Sequence, residues 1–343
     1  MPAQPSFAAG RVHPRGAARW LAAALLAMGS AAALAVAPAV TLHRLGNPAD
    51  ATPALKGPAF YLKGNSEPER QSFEEFTRLI ADKPVDVVVI GASFPNYQNE
   101  CRIIGPLSQV NSCTTLVIGT PEGAQDPAAL AAVQQAEIVY FRGGDQCDYV
   151  GWQDSAVIEA VEKLVARGGG AGGGSAGLAI QGSLAVYDGC KGSVRSPRAL
   201  EDPYRDSISF THDFFAWPYL DNTVTDSHFV ERDRMGRLMA FLCRQLAEGR
   251  TGDAWGVGIE ADTAVLMNRR GMASVYGSAA FVVQADRAPE VCEESTPVSY
   301  SGYKVWRLGD GSHYDFANRP TGGYRSIDVE QGVLSADPYE AMP

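Results

Sequence analysis

The stretch Gly173-Gly174-Ser175-Ala176-Gly177 has the G-x-S-x-G spacing of a turn that presents a serine as a nucleophile. In such a turn, glycines allow close backbone approach while the serine hydroxyl stands exposed in a strained conformation. The same residues lie within Arg167 to Gly182, a run so rich in glycine that composition alone reads as a flexible linker. A serine hydroxyl attacks poorly until an imidazole takes its proton and an acidic group orients that imidazole. Histidines are few: His13 and His43 lie near the N-terminus, leaving His212, His228 and His313 as bases. No C-x-x-C or H-x-x-x-H spacing suggests zinc, and no cofactor is implied.

The flanks argue against a linker. From Asp154 to Ala166, Val157, Ile158, Val161, Leu164 and Val165 form the apolar stripe of a helix that stops at Arg167 and Gly168. Leu178 to Val186 is apolar enough for a helix or a strand. Ala59 to Leu62, Val85 to Ile90, Thr114 to Ile118 and Ala136 to Phe141 read as buried strands, with a helix from about Pro68 to Ala81. Strands alternating with helices predict an α/β fold, a mostly parallel sheet flanked by helices, with ligands beyond the carboxyl ends of the strands. The loop at Gly143-Gly144-Asp145-Gln146 and the Ser175 turn then face one crevice. Residues 190 to 220 read as an inserted loop region, Phe229 to Ala247 as a helix, and Gly302 to Phe316 as a strand pair.

A hydrophobic fraction of 45% with 20% charged residues is that of a folded protein and excludes whole-chain disorder. A net charge of -10 argues against nucleic acid as a partner. Arg11, His13, Arg15 and Arg19 precede an uncharged run from Trp20 to Leu42 that includes Ala35-Val36-Ala37, the pattern of a signal peptide. An uncleaved anchor is the alternative, and in either case the folded part is expected outside the cytoplasm, with any membrane attachment through this segment only. The expected organisation is a leader at 1–42, a tether at 43–57, one catalytic domain at 58–318 and an extension at 319–343. Six cysteines suit disulfides in an exported protein, and Cys101 with Cys113, bracketing one short segment, is the expected pair; buried thiols are the alternative for the others. A homodimer is compatible with the sequence.

Four segments in order resemble the cyanophycinase-like branch of the S51 serine peptidases, related to aspartyl dipeptidase. They are Gly143 to Gln146, Gly173 to Gly177, Asp226-Ser227-His228-Phe229 with Arg232, Arg234, Gly236 and Arg237, and Gly256 to Ala264. The resemblance spans roughly residues 59 to 316 and implies a class I glutamine amidotransferase-like, flavodoxin-like three-layer fold. It implies Ser175 as nucleophile and His228 as base in a Ser-His-Glu triad. The N–H groups of Gly144 and Ala176 suit an oxyanion, because developing charge needs fixed dipoles. Gln146, Asp226, Arg232, Arg234 and Arg237 are the implied substrate-binding residues, although arginines on a helix also serve as a solvated face.

The family's Gly-Ile-Asp-Glu-Asp-Thr-Ala is matched here by Gly258-Ile259-Glu260-Ala261-Asp262-Thr263-Ala264, which sets Ala261 at the acid position. Glu260, brought in by a shift or bulge, is the expected acid, with Asp262 the other candidate. Ser227 stands where the family usually carries glutamine. The implied activity is hydrolysis beside aspartyl residues, in aspartyl dipeptides or the β-aspartyl-arginine linkage of cyanophycin. The alternative is a weak or inactive relative that binds an aspartyl peptide or another acidic ligand. An amidotransferase-like amidase would carry cysteine where Ser175 stands.

Overall fold

The glycine run is a buried strand whose neighbours leave no room for side chains. A Cβ on Gly172 would sit 2.1 Å from the Tyr61 carbonyl oxygen, and one on Gly174 would sit 2.1 Å from that of Asn65. The computed structural model describes residues 39–92 and 98–340. The leader expected at 1–42 lies outside the described residues up to residue 38.

In chain order the strands and helices of the first half are β1 (Val40–Gly46), β2 (Ala59–Lys63), α1 (Arg70–Ile80), β3 (Val85–Gly91), α2 (Asn99–Ile104), β4 (Val110–Ile118), α3 (Pro127–Gln135), β5 (Ile138–Phe141), α4 (Gln146–Val150), α5 (Ala156–Ala166), β6 (Gly170–Gly174) and α6 (Ala176–Ala179). The second half holds β7 (Val186–Tyr187), α7 (Ser196–Glu201), β8 (Phe210–Thr211), β9 (Thr223–Asp226), α8 (Met235–Ala247), β10 (Ala254–Ile259), β11 (Ala264–Met267), β12 (Met272–Tyr276), β13 (Ala280–Ala285), β14 (Tyr300–Leu308), β15 (His313–Asp315), β16 (Arg325–Glu330) and β17 (Val333–Leu334).

The large sheet runs β1-β4-β3-β5-β6-β2-β11-β12-β15. Its centre, β4-β3-β5-β6-β2, is parallel, and antiparallel strands close both sides. A second sheet, β17-β16-β14-β13-β10-β9, is antiparallel except for the parallel pair β9 and β10. One apolar core lies under α1 and α2 on one face of the large sheet. A second joins its other face to α3, α5 and the inner residues Val257, Ile259 and Val282 of the second sheet. A third packs α7 and α8 on that sheet's outer face. The sequence signals act locally: the α5 stripe is buried, Ser155 caps its first turn by accepting from Ile158 N, and Gly168 ends it at φ +97°.

Several boundaries differ from the sequence reading. Val40 to Gly46, divided between the expected leader and tether, is an edge strand, because its backbone pairs in register with β4. Residues 302–316 do not form one hairpin: β14 and β15 belong to different sheets. Residues 325–334, within the expected extension, are two strands of the second sheet. The helix expected from Phe229 begins only at Met235, since His228 and Asp233 take φ of +46° and +49°, which no α-helix accommodates.

Candidate active site

Strand β6 ends at Gly174 and α6 begins at Ala176, which leaves Ser175 alone at the turn with φ +54° and ψ -114°. Positive φ in a residue with a Cβ is strained and persists only where the surroundings over-determine it. They do here. Ser175 N donates to Lys63 O, and a Cβ on Gly173 or Gly177 would lie 2.3 Å from Gly177 O or 2.0 Å from Phe141 O. The carboxyl end of β2 also receives His228 N at Gly64 O, 3.2 Å away. One strand end thus braces both side chains, and Ser175 Oγ lies 2.9 Å from His228 Nε2.

His228 Nδ1 does not meet Glu260. It lies 2.5 Å from Glu231 Oε1, three residues on in the same turn. Glu260 sits one step further out: its Oε2 accepts from the backbone N–H of Val230 and, at 3.1 Å, of Glu231. The expected acid therefore clamps the turn, while Glu231 occupies the position beside the imidazole. Asp262 is tied to Ser278 Oγ at 2.7 Å and Thr263 Oγ1 at 2.9 Å, and Ala261 O accepts from the buried Lys63 Nζ at 2.5 Å. Burial pulls the His228 pKa below its ordinary value; the charges of Arg232 and Arg234 act in the same direction, and Glu231 opposes them. The imidazole is then neutral at physiological pH, free to accept a proton at Nε2 while Nδ1–H faces the carboxylate.

A cavity of about 250 Å³ opens in front of Ser175, and Gly144, Ala176, Gln146, Asp226 and all three arginines line it. Gly143 packs close to the nucleophile, as a Cβ added there would lie 3.2 Å from Ser175 Cβ, and its N–H donates to Ser66 Oγ at 2.9 Å. Ala176 N–H is at the first position of α6, where helical N–H groups lack intrahelical partners. The arginines differ. Arg237 is held by the buried Asp226 through Nε at 2.7 Å and Nη2 at 2.5 Å, and by Val194 O at 3.1 Å. Arg234 bonds Ser227 O at 2.7 Å and Asp226 at 3.3 Å. Burial lowers its pKa to about 10, leaving it cationic. Burial would raise Asp226, but the two guanidinium charges outweigh that and hold it below the usual range. Arg232 is half exposed, with Glu231 at 3.4 Å as its ion partner among the described residues. Gln146 Nε2 donates to Tyr187 O at 3.3 Å. His212 and His313 bond Gln245 and Ser274 elsewhere.

Sequence reasoning missed Glu231, Lys63 and the Cys147–Cys190 disulfide; Cys101 is joined to Cys113, and Cys243 and Cys292 are buried free thiols. The i, i+3 spacing of His228 and Glu231 was the available signal, hidden because the segment resembled a helix start with a solvated acidic residue.

No family model matches the chain. It is 28% identical over 165 residues to a cyanophycinase of Trichormus variabilis, covering 47% of this chain and 49% of that protein. It is 24% identical over 190 residues to a cyanophycinase of Geminocystis herdmanii, covering 53% and 64%. The chain thus matches between about half and two thirds of the length of these curated relatives. A solved peptidase from an acI-B1 Actinobacterium shares the fold with a TM-score of 0.51 at 15% identity, over 77% of this chain and 98% of that one. By these likenesses the chain is similar to cyanophycinases over part of its length and shares its fold with a solved peptidase.

Proposed function

We propose that the chain is an exported serine peptidase that cleaves peptide or isopeptide bonds beside aspartyl residues through an acyl-enzyme. The observation that carries the reading is the line from Ser175 Oγ through His228 to Glu231, with the arginine-lined cavity in front of it. Ser175 Oγ attacks the scissile carbonyl as its proton moves to His228 Nε2, and the N–H groups of Gly144 and Ala176 receive the oxyanion. His228 returns that proton to the leaving amine. Water then loses a proton to the same nitrogen and attacks the ester carbon; the bond to Ser175 Oγ breaks, His228 gives that proton to Oγ, and the acid is released. Glu231 stabilises the imidazolium in both steps. Its presence supports turnover over binding alone, because the inactive alternative rested on alanine at position 261.

Arg237 is committed to Asp226, so the aspartyl carboxylate falls to Arg232 and Arg234. Two disulfides support export, since such bonds persist in oxidising compartments. Among the described residues no helix is long and apolar enough to cross a membrane.

The test is hydrolysis of β-aspartyl-arginine polymer and of α- and β-aspartyl dipeptides, with Ser175→Ala as control. Product formation that disappears in the variant supports the reading and names the substrate class. Absence of product from the unmodified protein on every one of these substrates overturns the aspartyl specificity.

A further inference from the structure

The cavity wall facing the Gly144–Gln146 turn is a short loop, residues 189–193, with little of its own to hold it. At one end Asp188 is buried, and its Oδ1 accepts from Cys190 N at 3.0 Å and Ser209 Oγ at 2.5 Å. At the other, Val194 is buried and its carbonyl accepts from Arg237. Between them Gly189 and Gly192 take φ of +65° and +109°, and Cys190 to Ser193 are exposed, with no aliphatic or aromatic side chain among them. A segment with so few buried contacts has low local stability. Within the loop Gly192 N donates to Gly189 O at 2.9 Å, Tyr187 Oη donates to Gly192 O at 2.8 Å, and the tie to the element after the facing turn is covalent: Cys190 is bonded to Cys147, with Cα atoms 4.9 Å apart. Cys147 stands in the first turn of α4, its N–H donating to Asp145 at 2.9 Å. The residues beside each cysteine, Gln146 and Gly189, both line the cavity.

We propose that the Cys147–Cys190 disulfide is a clasp on the catalytic pocket: it fixes the 189–193 wall and so sets the size of the group beside the scissile bond that the pocket admits. The proposal rests on Ser175 as nucleophile. Cys190 is exposed, whereas Cys101 and Cys113 are fully buried, so a dithiol opens the clasp first. One thiolate of the reagent attacks a cystine sulfur to give a mixed disulfide, and its second thiol closes the ring. Two electrons and two protons pass to the protein, leaving two cysteine thiols.

The experiment compares the full chain untreated, after dithiothreitol with mass mapping of the opened bond, and as Cys147→Ser/Cys190→Ser. Two readouts are taken: rates of Ser175 labelling by a small and a bulky alkyl fluorophosphonate, and amide hydrogen exchange. Opening the clasp is expected to leave the small probe within about twofold, to speed the bulky probe about tenfold, and to raise exchange at 189–193 about tenfold with 176–179 unchanged. An unchanged ratio of bulky to small labelling with the bond open overturns the proposal. So does loss of labelling by both probes on opening, which would make the bond a support of the nucleophile. If neither probe labels the closed protein, the serine reading fails instead, and exchange at 189–193 decides the clasp: a rise supports it and no change overturns it.

Discussion

At the scale of single residues, the base is tuned by groups of opposite effect. Burial and two arginines lower the His228 pKa, and Glu231 raises it. The neutral, reactive form is lost as pH falls through a pKa below 6.5, so kcat/KM is expected to show its acid limb below that value. Arg232→Gln removes a cation and should move the limb to higher pH. Glu231→Gln should move it lower and cut kcat by roughly 10⁴ by loss of imidazolium stabilisation and tautomer control. Glu260→Ala leaves that carboxylate in place but frees the turn, with a fall of about tenfold expected. Steady-state profiles of the three variants separate the roles, and equal losses from Glu231→Gln and Glu260→Ala would refute the assignment. Glu231 was hard to read from sequence because its partnership depends on the φ of +46° at His228, a value no spacing rule predicts.

At the scale of elements, β6 and α6 hold the strained serine by steric exclusion. Adding a methyl at Gly177 places it 2.0 Å from the backbone oxygen of Phe141, where no rotamer change relieves the clash. Gly177→Ala should therefore destabilise by about 3 kcal/mol or more. Gly252→Ala, with nothing within 4 Å of its added Cβ, should stay within about 0.5 kcal/mol. Denaturant midpoints of the two variants check this, and similar midpoints would show that the elbow yields. The same glycines explain the ambiguity of the sequence, since composition records missing side chains but not the neighbours that forbid them.

At the scale of the molecule, the C-terminal segment supports the site from outside. Tyr339 Oη donates to Asp233 Oδ1 and accepts from Met235 N, each at 2.9 Å, on either side of Arg234. Tyr339→Phe should cost about 1 kcal/mol of stability and raise KM several-fold with kcat little changed; unaltered KM would detach this contact from substrate binding. Deleting residues 319–343 removes β16 and β17 from β14 and uncovers Tyr300 and Tyr303, so the truncated chain is expected to be insoluble on expression. Soluble, cooperatively folding material would show the third core to be self-sufficient.

The sequence by itself determined the parallel centre of the large sheet, because nearly continuous apolar runs such as Val85 to Ile90, broken only by Asp86, suit strands covered on both faces. It also set the Gly143–Gln146 loop and the Ser175 turn on one crevice, since ligands bind beyond the strand ends of such a sheet, whereas His228 entered through the resemblance to a known family. Only the tertiary structure decided the rest. The second sheet arises from long-range, largely antiparallel pairing of strands whose partners local periodicity cannot name. Glu231 rather than Glu260 beside the imidazole, and Cys190 on Cys147, are likewise set by where loops meet in space. Side-chain type and spacing encode a residue's own element, but the partner across a crevice is fixed by packing.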